Sequence, residues 1–440
     1  MNNKTCESGA NTKLCGASNG FFFCFMRDGA SFSIKHGIAF KENVCVDEFK
    51  RAANEAIKLF PEFAVRPVIK GNRVRMEKNR CEIAVFSEPG PLKYYGTDDT
   101  NGYLFYFVCS GKNLTAYLNH GFSDAFGLTA FLKSVLVLYA GYTGSPVTDP
   151  QLLASVRTPS DPKFNANAED AFDPYRYYGD TSAAPEYIFE NPGAYTIPAP
   201  LFDPAENRIR EILVDISTSE FIRLTKQIGA SFTPLMIDVA AQAVFRNYDT
   251  AGDPFVAMLP VDLRRFFGSS TLVNFSDGIS VPGYREKDIP DTAARCAAMK
   301  EVMQKQMTKA GFANLIGGKA AAVDRFFADK SELASRPLPS PAAGKKPYTL
   351  PFSYPGKLTF GAQLDEMIAD ASITGHSRVN SVISHTYGDK MQFSFVWRSD
   401  DISYINHFCE ELRRRGFDPS VKDNGLIKRD LFSLSKLATE

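Results

Sequence analysis

Residues 103–127 decide the fold and read YLFYFVCSGKNLTAYLNHGFSDAFG. The stretch from Tyr103 to Cys109 is almost wholly apolar, which predicts a strand buried on both faces. We expect a second strand at Leu114–Leu118, and the polar loop Asn119–Asp124 then leads into an amphipathic helix placed at Ala125–Tyr139. A loop between a strand and a helix is held by a rigid scaffold, so its side chains are candidates for function.

Strands and helices continue to alternate on both sides of a proline-rich middle. Ten of the 26 prolines fall between Pro146 and Pro204, and proline interrupts both helices and central strands. We therefore expect an N-terminal lobe over residues 1–180, a crossover linker over 181–208 and a C-terminal lobe over 209–440. The expected fold class is α/β with mixed (α+β) sheets in two lobes of similar size.

The composition excludes several classes of protein. The 50 Lys and Arg residues balance 50 Asp and Glu residues, so there is no basic footprint for a nucleic acid. The longest aromatic run, residues 21–26, is far shorter than the about 20 residues of a membrane span, so we expect none. Eight cysteines without a CxxC motif favour unpaired thiols in a reducing, cytoplasmic compartment, with no metal site.

Among the five histidines, His120 has the setting most typical of a catalytic base. It follows a hydrophobic strand, where a ring can face a cleft, and histidine can take a proton near pH 7. Asp124 lies four residues later and can turn back under the loop. A His-x-x-x-Asp pattern is weak alone, because it arises often by chance. A second patch strengthens it: the apolar strand Leu259–Leu263 runs into Arg264, and an Asn-Phe pair begins at Asn274.

These two patches together resemble the superfamily of chloramphenicol acetyltransferase-like acyltransferases, which includes condensation domains of peptide synthetases. The likeness is greatest to alcohol acetyltransferases and polyketide-associated acyltransferases. The family loop reads HHxxxDG, and its second lobe has a strand ending in DLR or NxR before an NF or GN pair. Segments 46–63 and Phe352–Lys357 are also similar, so the resemblance covers about residues 31–417. The sequence departs from the pattern at Asn119, usually His, and at Ala125, usually Gly.

The resemblance implies two chloramphenicol acetyltransferase-like lobes with a tunnel between them. It implies that His120 is the general base, taking a proton from a hydroxyl or amine acceptor that attacks the acyl-CoA thioester directly. Asp124 would complete the catalytic motif and pair with Arg264, which supports the loop. Acyl-CoA would be a co-substrate, with no bound cofactor. The candidates for the substrate tunnel are Asn274, Ser353, Tyr354 and Gly356.

Three interpretations of function stay open. The first is an enzyme, a CoA-dependent O- or N-acyltransferase with a small-molecule acyl donor and an alcohol or amine acceptor. The second keeps the fold but takes the acyl group from the phosphopantetheine arm of an acyl carrier protein. The third is a non-catalytic relative that binds a small molecule or a partner. The run Arg413–Arg415 could contact CoA phosphates or an acidic carrier protein, or could simply be a solvated helix end. A turn is expected at Gly317-Gly318.

Overall fold

The computed structural model describes residues 13–26, 32–71, 73–91, 93–159, 170–190, 193–203, 206–329, 346–377, 379–428 and 430–437. These residues form two lobes, each built on one sheet, together with a small three-stranded sheet. Both large sheets contain parallel and antiparallel pairs, and helices pack beside them. The mixed α/β class predicted from the sequence is therefore confirmed.

The strands are assigned to the sheets in spatial order. The first-lobe sheet consists of β12 (Ile368–His376), β2 (Ser33–Phe40), β7 (Asn113–Asn119), β6 (Phe105–Ser110) and β5 (Val85–Phe86). The second-lobe sheet consists of β10 (Ser276–Pro282), β9 (Val256–Asp262), β11 (Leu350–Lys357), β13 (Ser381–Tyr387), β14 (Lys390–Trp397), β8 (Arg208–Ser217) and β15 (Ser420–Lys428). The small sheet consists of β1 (Lys13–Leu14), β4 (Arg73–Lys78) and β3 (Val65–Lys70).

The helices are named in chain order. They are α1 (Ala17–Met26), α2 (Val46–Ala56), α3 (Ala125–Tyr142), α4 (Pro150–Ser155), α5 (Pro174–Tyr178), α6 (Thr218–Ile228), α7 (Phe232–Asn247), α8 (Arg264–Phe267), α9 (Thr292–Gln306), α10 (Lys309–Ala328), α11 (Ala362–Asp365) and α12 (Ser403–Arg414). Short 3₁₀ turns lie at Ile57–Leu59, Asp98–Thr100 and Leu434–Lys436.

The core of the first lobe follows from its hydrophobic patterns. Every residue of Phe105–Cys109 in β6 is buried, as expected for a strand covered on both faces. Helix α2 buries Phe49 and three alanines, and it packs against α3. Helix α3 in turn buries the face that carries Leu128 and Phe131. The strand that ends at the His120 loop is thereby fixed inside a packed core.

Helix α3 is both long and apolar. In the part of the chain that the structure describes, it is the one helix long and apolar enough to cross a membrane, and half of that stretch is buried inside the protein. Helices α6 and α7 reach the same length and apolar character only when taken together, and they are bent by 95° relative to each other. A core helix of a packed lobe has these same properties.

The last part of the chain returns to the first lobe. Strand β12 pairs with β2, placing Ile373 opposite His36. Phe432 and Leu434, near the C-terminus, are also buried in the first-lobe core. The lobe boundaries at residues 180 and 208 stay a prediction, and the first sheet takes one strand from beyond them.

Two expectations are wrong. Gly317 and Gly318 lie inside α10, not in a turn. A Cβ on Gly317 would come within 2.8 Å of the backbone nitrogen of Asp180, so this glycine lets another segment approach the helix. Cys81 is disulfide-bonded, whereas the sequence pattern suggested unpaired thiols throughout.

Candidate active site

The His120 loop joins β7 to α3 and lies against the second lobe. The backbone N–H of His120 donates to the carbonyl of Phe32 at 2.7 Å, which fixes the start of the loop beside β2. The backbone N–H of Asn274, in the second lobe, donates to the carbonyl of Phe122 at 3.2 Å. The loop is therefore held from both lobes by main-chain hydrogen bonds.

The hydrogen bonds of the His120 ring define its tautomer. Nδ1 lies 3.2 Å from the carbonyl oxygen of Ser123, which can only accept, so Nδ1 carries the proton in the neutral ring. The Asn274 amide nitrogen donates to the His120 carbonyl at 2.8 Å and also lies 3.4 Å from Nδ1, a longer contact than that of Nδ1 with Ser123. Nε2 has no hydrogen-bond partner among the described residues and holds the ring's lone pair. Neutral His120 is therefore arranged to accept a proton at Nε2.

The environment of His120 favours its neutral form. The residue is half-buried, and loss of water from around the ring lowers its pKa below the ordinary value of 6.5. Hydrogen bonding to Ser123 and the charge of Asp124 act in the opposite direction and are weaker. The ring is consequently available as a base at neutral pH.

Asp124 is buried and makes three contacts that hold the loop. One carboxylate oxygen accepts from the backbone N–H of Gly127 at 3.0 Å and caps helix α3. The other accepts from the Arg264 guanidinium at 2.9 Å and from the backbone N–H of Phe275 at 3.0 Å. With its oxygens used in this way, Asp124 joins the first-lobe helix to the second lobe.

Arg264 is 5% exposed, and all three nitrogens of its guanidinium donate hydrogen bonds. Besides Asp124, it donates to Asp262 at 2.8 Å and to the carbonyls of Thr271 and Val273 at 2.6 and 2.9 Å. Burial is the largest single influence on the pKa of Arg264 and lowers it. The charges and hydrogen bonds of Asp124 and Asp262 together outweigh burial, so the pKa lies above its ordinary value. A guanidinium with this many fixed partners defines the geometry of the lobe interface.

Solved structures with this architecture are numerous, although no family model and no curated protein matches the sequence. Fusarium sporotrichioides TRI101, solved with coenzyme A and T-2, is 10% identical, with a TM-score of 0.59 over 94% of this chain and 100% of that one. TRI3 trichothecene 15-O-acetyltransferase of the same organism is 11% identical, with a TM-score of 0.58 over 94% and 98%. The epimerization domain of tyrocidine synthetase B is 11% identical, with a TM-score of 0.57 over 93% and 97%.

The chain has the chloramphenicol acetyltransferase-like fold. The resemblance read from the sequence motifs is thereby confirmed at the level of the fold, including its two lobes.

The two departures from the loop pattern of the chloramphenicol acetyltransferase-like fold are accommodated locally. Ala125 is the first residue of α3 and does not have a positive φ, so no glycine is needed there. Asn119 is buried, and its side-chain oxygen accepts from the backbone N–H of Gly121 at 2.9 Å. The tight position is Gly127, where a Cβ would lie 2.2 Å from both the Leu272 carbonyl oxygen and the Ser123 hydroxyl.

The expected tunnel residues fall into two places. Asn274 is fully buried beside His120, and its amide oxygen accepts from the Ser276 hydroxyl at 2.9 Å, so both ends of the amide are used. Ser353, Tyr354 and Gly356 lie on β11. Among the described residues, no hydrogen bond or ring contact joins them to the His120 loop.

Strand β11 is nevertheless paired irregularly within the second-lobe sheet. It pairs with β9 only at Leu350 and Pro351, and its pairing with β13 is interrupted between Ser353 and Gly356. Tyr354, in this interruption, stacks on Phe232 of α7 with ring centroids 4.9 Å apart, and burial raises its pKa. The structure therefore brings four of the predicted residues together and leaves three on a separate strand.

Sequence reasoning missed the residues that cover the loop from the N-terminus. Asn19 of α1 donates to the carbonyls of Gly121 and Phe122 at 2.7 and 3.0 Å. Phe22, one turn later, places its ring centroid 5.0 Å from that of His120. The aromatic run at residues 21–26 is apolar throughout and has no strong amphipathic pattern that would indicate a helix over the loop. Among the described residues, no group of His, Cys, Asp and Glu could hold a metal ion.

Proposed function

We propose that this protein is an acyltransferase that moves an acyl group from an acyl-CoA thioester to a hydroxyl or amine acceptor, with His120 as the general base. The observation that carries the proposal is the 3.2 Å contact between His120 Nδ1 and the Ser123 carbonyl oxygen, from which we assign the tautomer of the neutral ring. With the Nδ1 proton directed at the Ser123 carbonyl, Nε2 is left unprotonated and can act as the base. The coenzyme A in solved structures of the same fold supports the choice of donor.

The proposed reaction is a direct transfer. Nε2 of His120 takes the proton from the acceptor O–H or N–H as that atom attacks the thioester carbonyl. The tetrahedral intermediate collapses with cleavage of the carbon–sulfur bond, and the CoA thiolate leaves with the proton that His120 held. The protein forms no covalent bond to the acyl group, and acyl-CoA is a substrate rather than a bound cofactor.

The other predicted residues receive positioning roles in this proposal. Asp124 and Arg264 hold the loop between the lobes through their buried ion pair. Asn274 holds the His120 carbonyl through its amide nitrogen and accepts from the Ser276 hydroxyl through its amide oxygen, so we assign it a positioning role. Ser353, Tyr354 and Gly356 are proposed to line the tunnel where β9 and β11 separate.

The test is thiol release from acetyl-CoA and longer acyl-CoAs in the presence of a panel of alcohols and amines. We expect release that needs an added acceptor and falls by about 10²–10⁴-fold in His120→Ala. The matched control is His407→Ala on α12, which removes a histidine outside the loop. A wild-type rate that survives in His120→Ala would reject His120 as the base.

A second possible donor is an acyl group carried by an acyl carrier protein, and two observations support it. The starter condensation domain of rhizomide synthetase matches this chain with a TM-score of 0.52 at 11% identity. Arg413 and Arg414 are exposed at the end of α12, whereas Arg415 is tied to Asp238 and Glu411. An acyl carrier protein is therefore the alternative donor, and acyl-carrier proteins are the next substrates if no CoA thioester reacts.

We further propose a cytoplasmic location. The free cysteines among the described residues support it, because reducing compartments keep thiols unpaired. The disulfide at Cys81 argues against it. Cell fractionation distinguishes the two: recovery of the protein in the cytosolic fraction is expected if the proposal holds, and recovery in an oxidising compartment would reject it.

A further inference from the structure

Helix α1 is fastened over the His120 loop. Its first residue, Ala17, donates its backbone N–H to the Asp173 carboxylate at 2.8 Å. Gly20 lies so close to α10 that a Cβ would meet a methyl group of Val323 at 2.8 Å. Near the other end, the Phe23 ring stacks on that of Phe432, with centroids 4.5 Å apart. These contacts tie the helix to segments from distant parts of the chain.

The loop is shaped to receive this helix. Gly121 has no space for a Cβ, which would lie 2.7 Å from Met26 and 2.9 Å from Phe22. Asn19 is buried, and its side-chain amide donates to the carbonyls of Gly121 and Phe122, the two residues that follow His120. The backbone of the loop therefore packs closely against side chains of α1, and the Asn19 amide bonds the two segments.

Phe22 covers one face of the His120 imidazole. The two rings are 5.0 Å apart between centroids and are inclined by 31°. The edge of the imidazole is fixed independently by the Nδ1 contact with Ser123. An edge contact and a face contact together define the orientation of a ring, so they also define the direction of Nε2.

The charged groups around the ring are few. Helix α1 has no charged side chain within residues 17–26, and its titratable group is Cys24. On the loop, Asp124 interacts with the ring electrostatically, and its charge is matched by Arg264. From the second lobe, the Asn274 side chain facing the ring is neutral. On the side of α10, Lys319 lies over the Phe21 ring and pairs with Asp277.

We infer that Phe22 of helix α1 is a positioning residue for His120, holding the ring so that Nε2 points at the acceptor. This inference rests on the proposed function for its catalytic consequence. The contact between Phe22 and His120 does not depend on the proposed function, because it also keeps water from one face of the ring and so affects the pKa of His120. Burial lowers the pKa of His120, and removing part of its cover should raise it toward the ordinary value.

The experiment compares Phe22→Ala with Phe21→Ala, a matched control one residue away on the same helix. Phe21 contacts the Phe22 and Lys319 side chains. The pKa of His120 is measured by NMR of ¹³C-labelled histidine, assigned by the loss of its signal in His120→Gln. We expect Phe22→Ala to raise this pKa and Phe21→Ala to leave it at the wild-type value.

The kinetic readout separates positioning from binding. We expect Phe22→Ala to lower kcat by about 10- to 100-fold, as small misplacements of a catalytic group do, with the KM for acyl-CoA nearly unchanged. The acidic limb of kcat/KM should move to higher pH together with the pKa. Phe22→Tyr, which keeps the ring, should restore both values. If the alanine variant does not fold, Phe22→Leu is measured in its place, with the same directions expected.

The outcomes are distinguishable. A His120 pKa and a kcat in folded Phe22→Ala or Phe22→Leu that equal those of Phe21→Ala would overturn the inference. A wild-type protein without turnover would overturn the proposed function, while a raised pKa in the Phe22 variant would still establish the contact. A fall in kcat that Phe22→Tyr does not restore would also count against the ring as the positioning group.

Discussion

Replacing Asp124 with alanine should destabilise the protein by about 3–5 kcal/mol, because the change leaves a buried guanidinium without one of its partners. The Asp124 carboxylate is 2.9 Å from Arg264, whose side chain is 5% exposed. The same carboxylate also accepts from the backbone N–H groups of Gly127 and Phe275. All three donors would lose their acceptor in one substitution.

The magnitude follows from these contacts. Losing a helix cap costs about 1 kcal/mol, and a buried donor left unpaired costs about 1–3 kcal/mol. Arg264 keeps Asp262 and two carbonyls, which reduces the cost of breaking the ion pair. With an unfolding entropy of about 2.1 cal/mol/K per residue, 440 residues give about 0.9 kcal/mol/K, so Tm should fall by about 3–5 °C.

Thermal and urea unfolding of Asp124→Ala and Asp262→Ala measure the effect. Asp262 bonds the same guanidinium, but its side chain is 44% exposed, so its loss should cost less than about 1 kcal/mol. Asp124→Asn should fall between the two, since one amide cannot accept on both of its sides. Equal stability of Asp124→Ala and wild type would refute the assignment of the ion pair as the support of the loop.

Three further predictions follow from burial and packing. Because the pKa of His120 is lowered from 6.5, kcat/KM should stay level through neutral pH and decline only below about pH 6.5; a decline beginning above pH 7 would contradict this. Burial lowers the pKa values of His36 and His385 to about 3, so both stay neutral in the native state while the unfolded chain gains protons. Stability should therefore be complete above about pH 6.5 and decrease toward about pH 3, and urea midpoints of the His36→Gln/His385→Gln variant should depend less on pH. Gly317→Ala should destabilise the protein through its contact at 2.8 Å, whereas Gly318→Ala, with open space around the new methyl group, should be neutral or stabilising by about 0.5–1 kcal/mol; equal melting temperatures would show that the Asp180 segment gives way.

The loop and its scaffold were predictable because their signals are local. An apolar strand, a polar loop and an apolar helix follow one another within residues 103–142, and the structure forms them in that order. The proximity of Asp124 to Arg264 spans 140 residues, and it came only from the similarity of both patches to one family. Periodicity and composition do not show which residues so far apart in the sequence come into contact.

The cover of the loop was not predictable for a physical reason. The run Phe21–Met26 is almost uniformly apolar, so it has no strong amphipathic pattern to indicate a helix or its partner. The turn expected at Gly317 is wrong because glycine usually suggests a break in a helix. Here the absence of a side chain lets the Asp180 segment pack directly against the helix. Both are properties of the packed molecule that no short window of sequence contains.

Strand β12 limits when the first-lobe sheet can be completed during synthesis of the chain. Its nine residues, Ile368–His376, form the edge of the sheet that carries the His120 strand, and β2 depends on them for its second neighbour. During synthesis at about 5–20 residues per second, β2 has to wait for more than 300 further residues before that edge is covered. An uncovered edge is a template for pairing with another chain. A fragment that ends before β12 should therefore associate through β2, and the nascent first lobe depends on protection until the chain is nearly complete.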